Sequence, residues 1–272
     1  MKVSVVISTY NSPKWLEKVL WGYECQTHRN FELVIADDGS GIETRDIIEK
    51  FKSHASLQII HVWHEDRGFQ KSEILNKAIQ AATTDYLIFS DGDCIPRKDF
   101  VAVHVKNSAP GYFLSGGYFM LPIETSHAIT QDDIQNANAF NVNWLKENGL
   151  ERTYKTLKLT SKGTLEKFLN FVTPTKATWN GHNSSGWKKD LLAVNGFNEQ
   201  MQYGGQDREL GERMMNLGIK GKQIRYSAVC IHLEHKRGYK TSESIQKNKH
   251  IRKHTKDQKK TWTDFGIVKD RG

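Results

Sequence analysis

Apolar residues in this chain arrive in two rhythms. Short unbroken runs occupy Val3–Ser8, Phe31–Ala36, Leu57–Val62, Tyr86–Ser90 and Tyr112–Leu121, each bounded by polar or glycine-containing sequence. Such runs predict strands buried on both faces. Between them, apolar positions recur at helical spacing over Trp15–Cys25, Glu43–Phe51, Lys71–Ala82 and Lys98–Val105, which predicts helices. Regular strand–helix alternation predicts an α/β fold with a mostly parallel central sheet and helices on both faces. Residues 124–178 lose the alternation and read as polar and helical. Residues 180–222 are punctuated by glycine, and a strand-like Ile224–Leu233 leads into a basic stretch.

Charge and composition narrow the function. Hydrophobic residues make up 38% of the chain and charged residues 26%, the balance of an ordinary globular protein. The net charge of +8 sits wholly in residues 236–260, where ten Lys/Arg face only Glu243 and Asp257. A neutral body with a basic tail argues against nucleic acid, which needs cations spread over a binding face. It fits an anionic membrane surface or a solvated end equally well. The apolar start of the chain is too short for a signal peptide, and no run approaches the roughly 18 apolar residues that span a bilayer. The expected location is the cytoplasm, with a peripheral place on the inner face of the membrane. Cys25, Cys94 and Cys230 form no Cys-x-x-Cys pair and are expected to be small buried hydrophobes.

Polar clusters follow three of the predicted strands: Ser8-Thr-Tyr-Asn11, Asp37-Asp-Gly-Ser40 and Ser90-Asp-Gly-Asp93. In parallel sheets ligands bind at the carboxyl ends of strands, so the three clusters point to one site. Asp91 and Asp93, two residues apart, project to one side and can hold a hard divalent ion. Alone, that tripeptide is more often a solvated turn. Asp207 follows Tyr203-Gly-Gly-Gln206 at the start of a helical run, Arg208–Leu217, where a helix-capping role is the plain alternative. His232 and His235 lie near the end of the last predicted strand.

The order of these pieces resembles the family-2-type glycosyltransferases of GT-A fold, which are Rossmann-like nucleotide-sugar enzymes. The carrying residues are Val5-Val-Ile-Ser-Thr-Tyr-Asn11, Asp37-Asp-Gly-Ser40, Arg67 to Ala78 and Asp91-Gly-Asp-Cys94. Asn195-Gly-Phe-Asn198, Tyr203 to Glu209 and Cys230 to His235 resemble the carboxyl-terminal catalytic region of β-1,4-galactosyltransferases, polypeptide N-acetylgalactosaminyltransferases and chondroitin polymerases. The resemblance implies a catalytic domain over 1–235, with 124–178 as a helical insertion on the acceptor side and 236–272 as a basic extension. It places Thr9, Tyr10, Asp38, Lys71 and Asp91 around the UDP part of a donor, and Asp93 on Mn²⁺ or Mg²⁺. His235 completes the metal site, with Asp91 as a further ligand and His232 as the rival of His235. Gly186, Trp187, Tyr203, Gly205 and Gln206 are implied around the sugars, and Asp207 as the general base. Where the family carries Gly-Gly-Glu-Asp, this chain has Gln206 before Asp207.

The activity this resemblance implies is that of an inverting, metal-dependent transferase of a hexose or N-acetylhexosamine. It would act from a UDP-sugar onto a saccharide acceptor, lipid-linked ones included, in bacterial surface polysaccharide or lipopolysaccharide synthesis. A nucleotidyltransferase would require a glycine-rich basic phosphate loop after the first strand, and Ser8-Thr-Tyr-Asn-Ser-Pro13 is not one. A non-catalytic binder of nucleotide-sugars or glycans is the alternative from another class.

Overall fold

The computed structural model describes residues 1–235 and 240–269. Its strands are β1 (Val3–Thr9), β2 (Phe31–Asp37), β3 (Gln58–Trp63), β4 (Tyr86–Asp91), β5 (Cys94–Pro96), β6 (Tyr112–Ser115), β7 (Gly117–Met120), β8 (Ser184–Trp187), β9 (Lys220–Gln223) and β10 (Val229–His232). The first helices are α1 (Pro13–Glu24), α2 (Ile42–His54), α3 (Lys71–Ala81) and α4 (Phe100–Asn107). Then come α5 (Ile123–Ala128), α6 (Gln131–Gln135), α7 (Val142–Glu147), α8 (Leu157–Thr160) and α9 (Gly163–Val172). The last are α10 (Lys188–Ala193), α11 (Gln206–Asn216) and α12 (Ser242–Asp257). Among the described residues, no helix is long and apolar enough to cross a membrane.

Seven strands form the main sheet in the order β3-β2-β1-β4-β8-β6-β9, and β5, β10 and β7 form a smaller one. β1 runs parallel to β2 and β4, which aligns Thr9 with Asp37 and Ser8 with Asp91. The winding direction reverses at β1, so a crevice opens at its carboxyl end. β8 is antiparallel to β4 and β6. Its amino end therefore lies where β4 finishes, beside that crevice. Alternate residues of β1 feed two cores: Val3, Val5 and Ile7 pack with Leu16 and Leu20 of α1. Val6 packs with Ile74 of α3 and with Leu210 and Met214 of α11. This double burial is why the strand reads as one apolar run.

The single strand expected over Tyr112–Leu121 is instead two, in different sheets. Gly116 separates β6 from β7, and a side chain there would overlap Asn183. Asn183 is fully buried and ties the sheets together, donating from Nδ2 to the carbonyls of Gly117 (2.7 Å) and Ala228 (3.0 Å). Its Oδ1 accepts from Nε2 of His104 at 2.9 Å. Burial pushes His104 down to about 4, so it is a neutral hydrogen-bonding group at physiological pH.

Residues 124–178 pack beside α1, where Lys18 Nζ donates to the carbonyls of Ser126 (2.8 Å) and His127 (3.0 Å). Residues 240–269 lie along α11 and then return to Asn195. That side chain donates to the carbonyls of Thr263 and Val268 and accepts from the Val268 amide. α11 itself is fixed from inside by Arg213, which is fully buried. Its guanidinium meets both carboxylate oxygens of Glu209 (Nε to Oε1, 2.9 Å; Nη2 to Oε2, 2.8 Å) and donates to the carbonyls of Val194 and Gly196. Glu209 also accepts from Thr255 of α12 at 2.9 Å. Removing one partner of a buried pair strands the other charge. Arg213→Met should therefore lower the unfolding free energy by about 3–5 kcal/mol in urea denaturation.

Candidate active site

The carboxyl ends of β1 and β4, the turn into β8, the first turn of α11 and one side of α12 enclose a cleft of about 1010 Å³. Asp91 closes β4, and its Oδ1 accepts from Ser8 Oγ and Lys71 Nζ, both at 2.7 Å. Burial and the like charge of Asp93 oppose the Asp91 carboxylate, but the Lys71 ammonium prevails and lowers its pKa. Burial likewise opposes the Lys71 ammonium, and Asp91, with Asp207 and Asp93 beyond, raises its pKa above the lysine norm.

Asp93 lies just past β4, where the small sheet delivers the histidines. β10 runs antiparallel to β5 with His232 opposite Cys94, and the Leu233 amide donates to the Asp93 carbonyl at 2.8 Å. His235 Nε2 reaches Asp93 Oδ2 at 2.8 Å, and His232 Nε2 lies 3.8 Å from the same oxygen. The two imidazoles are stacked, 5.9 Å apart and 4° from parallel. Burial opposes ionisation of Asp93, yet the His235 hydrogen bond and the two imidazoles carry its pKa down to about 2. One ligand atom each from Asp93, Cys94 and His232 lies within 4.8 Å of the others. A carboxylate with imidazoles is a donor set that fits a divalent cation of the Mn²⁺ type. Cys94 and Cys230 are fully buried free thiols, whereas Cys25 is only half-buried because α1 ends there.

At the other end of the cleft, Asp38 is 6% exposed. Its Oδ1 is held by His64 Nε2 at 2.8 Å and its Oδ2 by the Gln70 amide at 3.0 Å. Lys77 Nζ lies 3.1 Å from His64 Nδ1. An ammonium only donates, so Nδ1 accepts and Nε2–H points at Asp38. Burial outweighs these partners and raises the Asp38 pKa. Thr9 lines the same end, its buried Oγ1 without a hydrogen-bond partner. Tyr10, 44% exposed, is fixed through its hydroxyl to Asp66 at 2.9 Å.

Asp207 stands in the first turn of α11, facing Asp91 and Lys71. Gly204 (φ 118°) and Gly205 (φ 98°) turn the chain into that helix through backbone conformations open mainly to glycine. The Gly181 amide donates to Asp207 Oδ2 at 3.0 Å, leaving Oδ1 for another donor. Gln206 is buried, its Oε1 accepting from the Gly204 amide at 3.1 Å. Tyr203 also lines the cleft, its ring edge-on to Phe69.

Two expected sugar contacts lie elsewhere. Gly186 and Trp187 pair with Leu87 and Tyr86 at the amino end of β4, and Trp187 Nε1 donates to the Ala109 carbonyl. Because β8 is antiparallel, its end points away from the cleft and its beginning points in. The residue there is His182, which the resemblance does not single out. Burial pushes it down to about 4, with Asp91, Asp207 and Asp93 around it, and its ring meets Tyr118 edge-on at 4.6 Å. Lys249 and Arg252 of α12 reach the cleft from the basic stretch. Arg252 pairs with Glu212 at 2.5 Å and Lys256 with the same oxygen at 3.2 Å, while Lys236 and Arg237 lie outside the described residues.

Against known proteins, residues 4–114 match the Glycosyl transferase family 2 model and residues 170–236 match that described as the N-terminal domain of galactosyltransferase. Residues 4–114 are thus family-2 glycosyltransferase sequence and residues 170–236 galactosyltransferase-like sequence, on a GT-A fold. The chain is 26% identical over 280 residues to the uncharacterized glycosyltransferase YfnE of Bacillus subtilis, covering 91% of this chain and 69% of that protein. A similar fold occurs in the mannosyltransferase PcManGT from Pyrobaculum calidifontis, solved with GDP-Man and Mn²⁺ (TM-score 0.59, 21% identity). That match covers 87% of this chain and 58% of the other. S. aureus TarS in complex with UDP is also similar (TM-score 0.61, 15% identity), over 95% of this chain and 68% of the other.

The Lys71–Asp91 pair sets a checkable pH dependence. Without Lys71, the main offset to the burial and like charge that raise the Asp91 pKa is gone. Lys71→Met should be less stable than the native protein near neutral pH. The gap should narrow at acid pH, because the stranded carboxyl takes up a proton as pH falls. Urea denaturation at neutral and acid pH measures it.

Proposed function

We propose that this transferase moves a hexose or N-acetylhexosamine from a UDP-sugar to a saccharide acceptor with inversion at the anomeric carbon. We place the acceptor among growing glycans, lipid-linked ones included, of surface polysaccharide or lipopolysaccharide assembly. The observation that carries the reading is the convergence of Asp91, Asp93, His235 and Asp207 on one cleft whose far end holds the buried Asp38. Thr9 Oγ1 offers unmet hydrogen-bonding capacity there, the Asp38 oxygens keep lone pairs beyond their single partners, and Tyr10 offers a ring face to a base.

Expelling a nucleoside diphosphate concentrates negative charge on the leaving group, and a divalent ion, for which Mn²⁺ suits the ligands, supplies the neutralising charge. Asp93, His235 and Asp91 would hold it, with His232 close behind. Lys71 places its ammonium beside the diphosphate and, through Asp91, fixes the end of β4. His182, neutral at physiological pH, can donate or accept without adding charge. Asp207, oriented by the Gly181 amide through one oxygen, takes the acceptor's hydroxyl proton with the other. A base so placed contributes about 10²–10⁴-fold. Attack from the side opposite the diphosphate inverts the configuration, so an α-linked donor yields a β-linked product. Tyr203 and Gln206 border the acceptor side, where glutamine keeps hydrogen-bonding capacity but not the charge of glutamate.

Two variants test the assignments. Asp207→Asn should cut turnover about a hundredfold or more while UDP affinity by calorimetry stays within about twofold; retained turnover would unseat Asp207 as base. Asp93→Ala should abolish the gain in UDP affinity on adding Mn²⁺, and an unchanged gain would remove it from the metal site. A screen of UDP- and GDP-sugars for nucleotide release identifies the donor. Silence with every donor and acceptor would favour a binding protein.

A further inference from the structure

The segment 152–176 holds a helix set on the body the wrong way round. On α9, Glu166 and Asn170 face inward. The Ser227 hydroxyl donates to Glu166, the Asn170 amide donates to Ser227 Oγ at 2.8 Å, and Asn170 Oδ1 accepts from the Tyr226 amide at 2.8 Å. Spaced around the opposite side are Leu165, Phe168, Phe171 and Val172, which are 49%, 59%, 88% and 46% exposed. Helices on globular proteins bury their apolar stripe. This one is docked by its polar stripe through specific hydrogen bonds, so the apolar stripe is held outward by construction. Tyr154 and Leu157, earlier in the same segment, are also exposed, at 81% and 44%.

The surrounding charge says what covers this face. Between 152 and 176 there are six Lys/Arg and one acid, Glu166, whose carboxylate is turned inward. Arg152, Lys155, Lys162, Lys167 and Lys176 make no ion pair with a carboxylate among the described residues. The sixth cation, Lys158, is half-buried, and burial with the charges of Arg225 and Lys155 pushes it down to about 8. An aromatic and aliphatic ridge rimmed by unpaired lysines is the pattern of a helix lying in a lipid–water interface. Lysine is depleted in protein–protein interfaces, which argues against a protein here.

We propose that α9 and the turn before it form a docking surface for an anionic lipid bilayer. The ridge of Phe168, Phe171, Leu165 and Val172 enters the headgroup region, and the lysines pair with lipid phosphates around it. The surface is distinct from the basic stretch 236–260 and does not depend on the donor assignment. It does stand next to the cleft. Lys158 Nζ donates to the Tyr118 carbonyl at 2.9 Å, and the Tyr118 ring meets His182. An acceptor anchored in the same bilayer would thus be presented on the side where Tyr118 lines the cleft.

Vesicle co-sedimentation of the full chain tests the proposal. Vesicles mixing phosphatidylglycerol with phosphatidylcholine should bind the protein, and phosphatidylcholine alone should bind it far less. Phe168→Ser/Phe171→Ser should reduce partitioning on the order of tenfold. Lys162→Ala/Lys167→Ala should weaken it by about fivefold per lysine. Both pairs are exposed and outside the cleft, so circular dichroism and the UDP affinity should match the native protein. Equal sedimentation of native protein and the Phe variant, or indifference to anionic lipid, overturns the proposal. So does a native dimer that the Phe variant dissolves without any vesicle binding, which would assign the ridge to a protein contact.

Discussion

Asp91, Asp93 and Asp207 bring like charges into one cleft, and the way their repulsion is relieved governs how the rest of the site is built. Carboxylates drawn together out of water raise one another's pKa unless positive charge stands between them. Here Lys71 reaches Asp91 at 2.7 Å and His235 reaches Asp93 at 2.8 Å. These contacts carry both carboxyls below their ordinary values despite burial. The arrangement keeps Asp91 and Asp93 ionised without a ligand, so the cleft carries a preformed electrostatic pattern.

That pattern needs rigid supports, and the fold supplies them from separate parts of the chain. The switch point at β1 aligns Ser8 with Asp91, while the small sheet sets His232 opposite Cys94. Arg213, buried with Glu209, anchors the helix whose first turn carries Asp207. The buried Asn183 and the neutral His104 join the two sheets one residue beyond His182. Each support is a satisfied polar group in the interior, where a partner's loss costs more than its presence contributes.

Much of this is legible in the chain because periodicity and burial coincide. β1, β2 and β4 read as strands since both their faces are covered, and the polar clusters at their ends mark the crevice. Three features escape that reading. An apolar run over Tyr112–Leu121 does not reveal that Gly116 hands it from one sheet to another. Strand direction is invisible in composition: the resemblance implies Gly186 and Trp187 at the site, whereas the antiparallel β8 delivers His182. A helical stripe also does not declare which side faces in. α9 shows the usual amphipathic spacing, and only the hydrogen bonds of Glu166 and Asn170 show that the polar side is the inner one.

The thiols behind Asp93 have a consequence of their own. Cys94 Sγ lies 3.3 Å from Asp93 Oδ1, and Cys230 packs against it in the closed interior. Burial and neighbouring negative charge hold the Cys94 thiol protonated, which suits a site for hard or borderline cations that leave sulfur alone. Soft cations such as Cd²⁺ or Hg²⁺ bind the thiolate, which burial withholds from them here. The packing that closes the small sheet thus leaves the mouth of the site to oxygen and nitrogen donors.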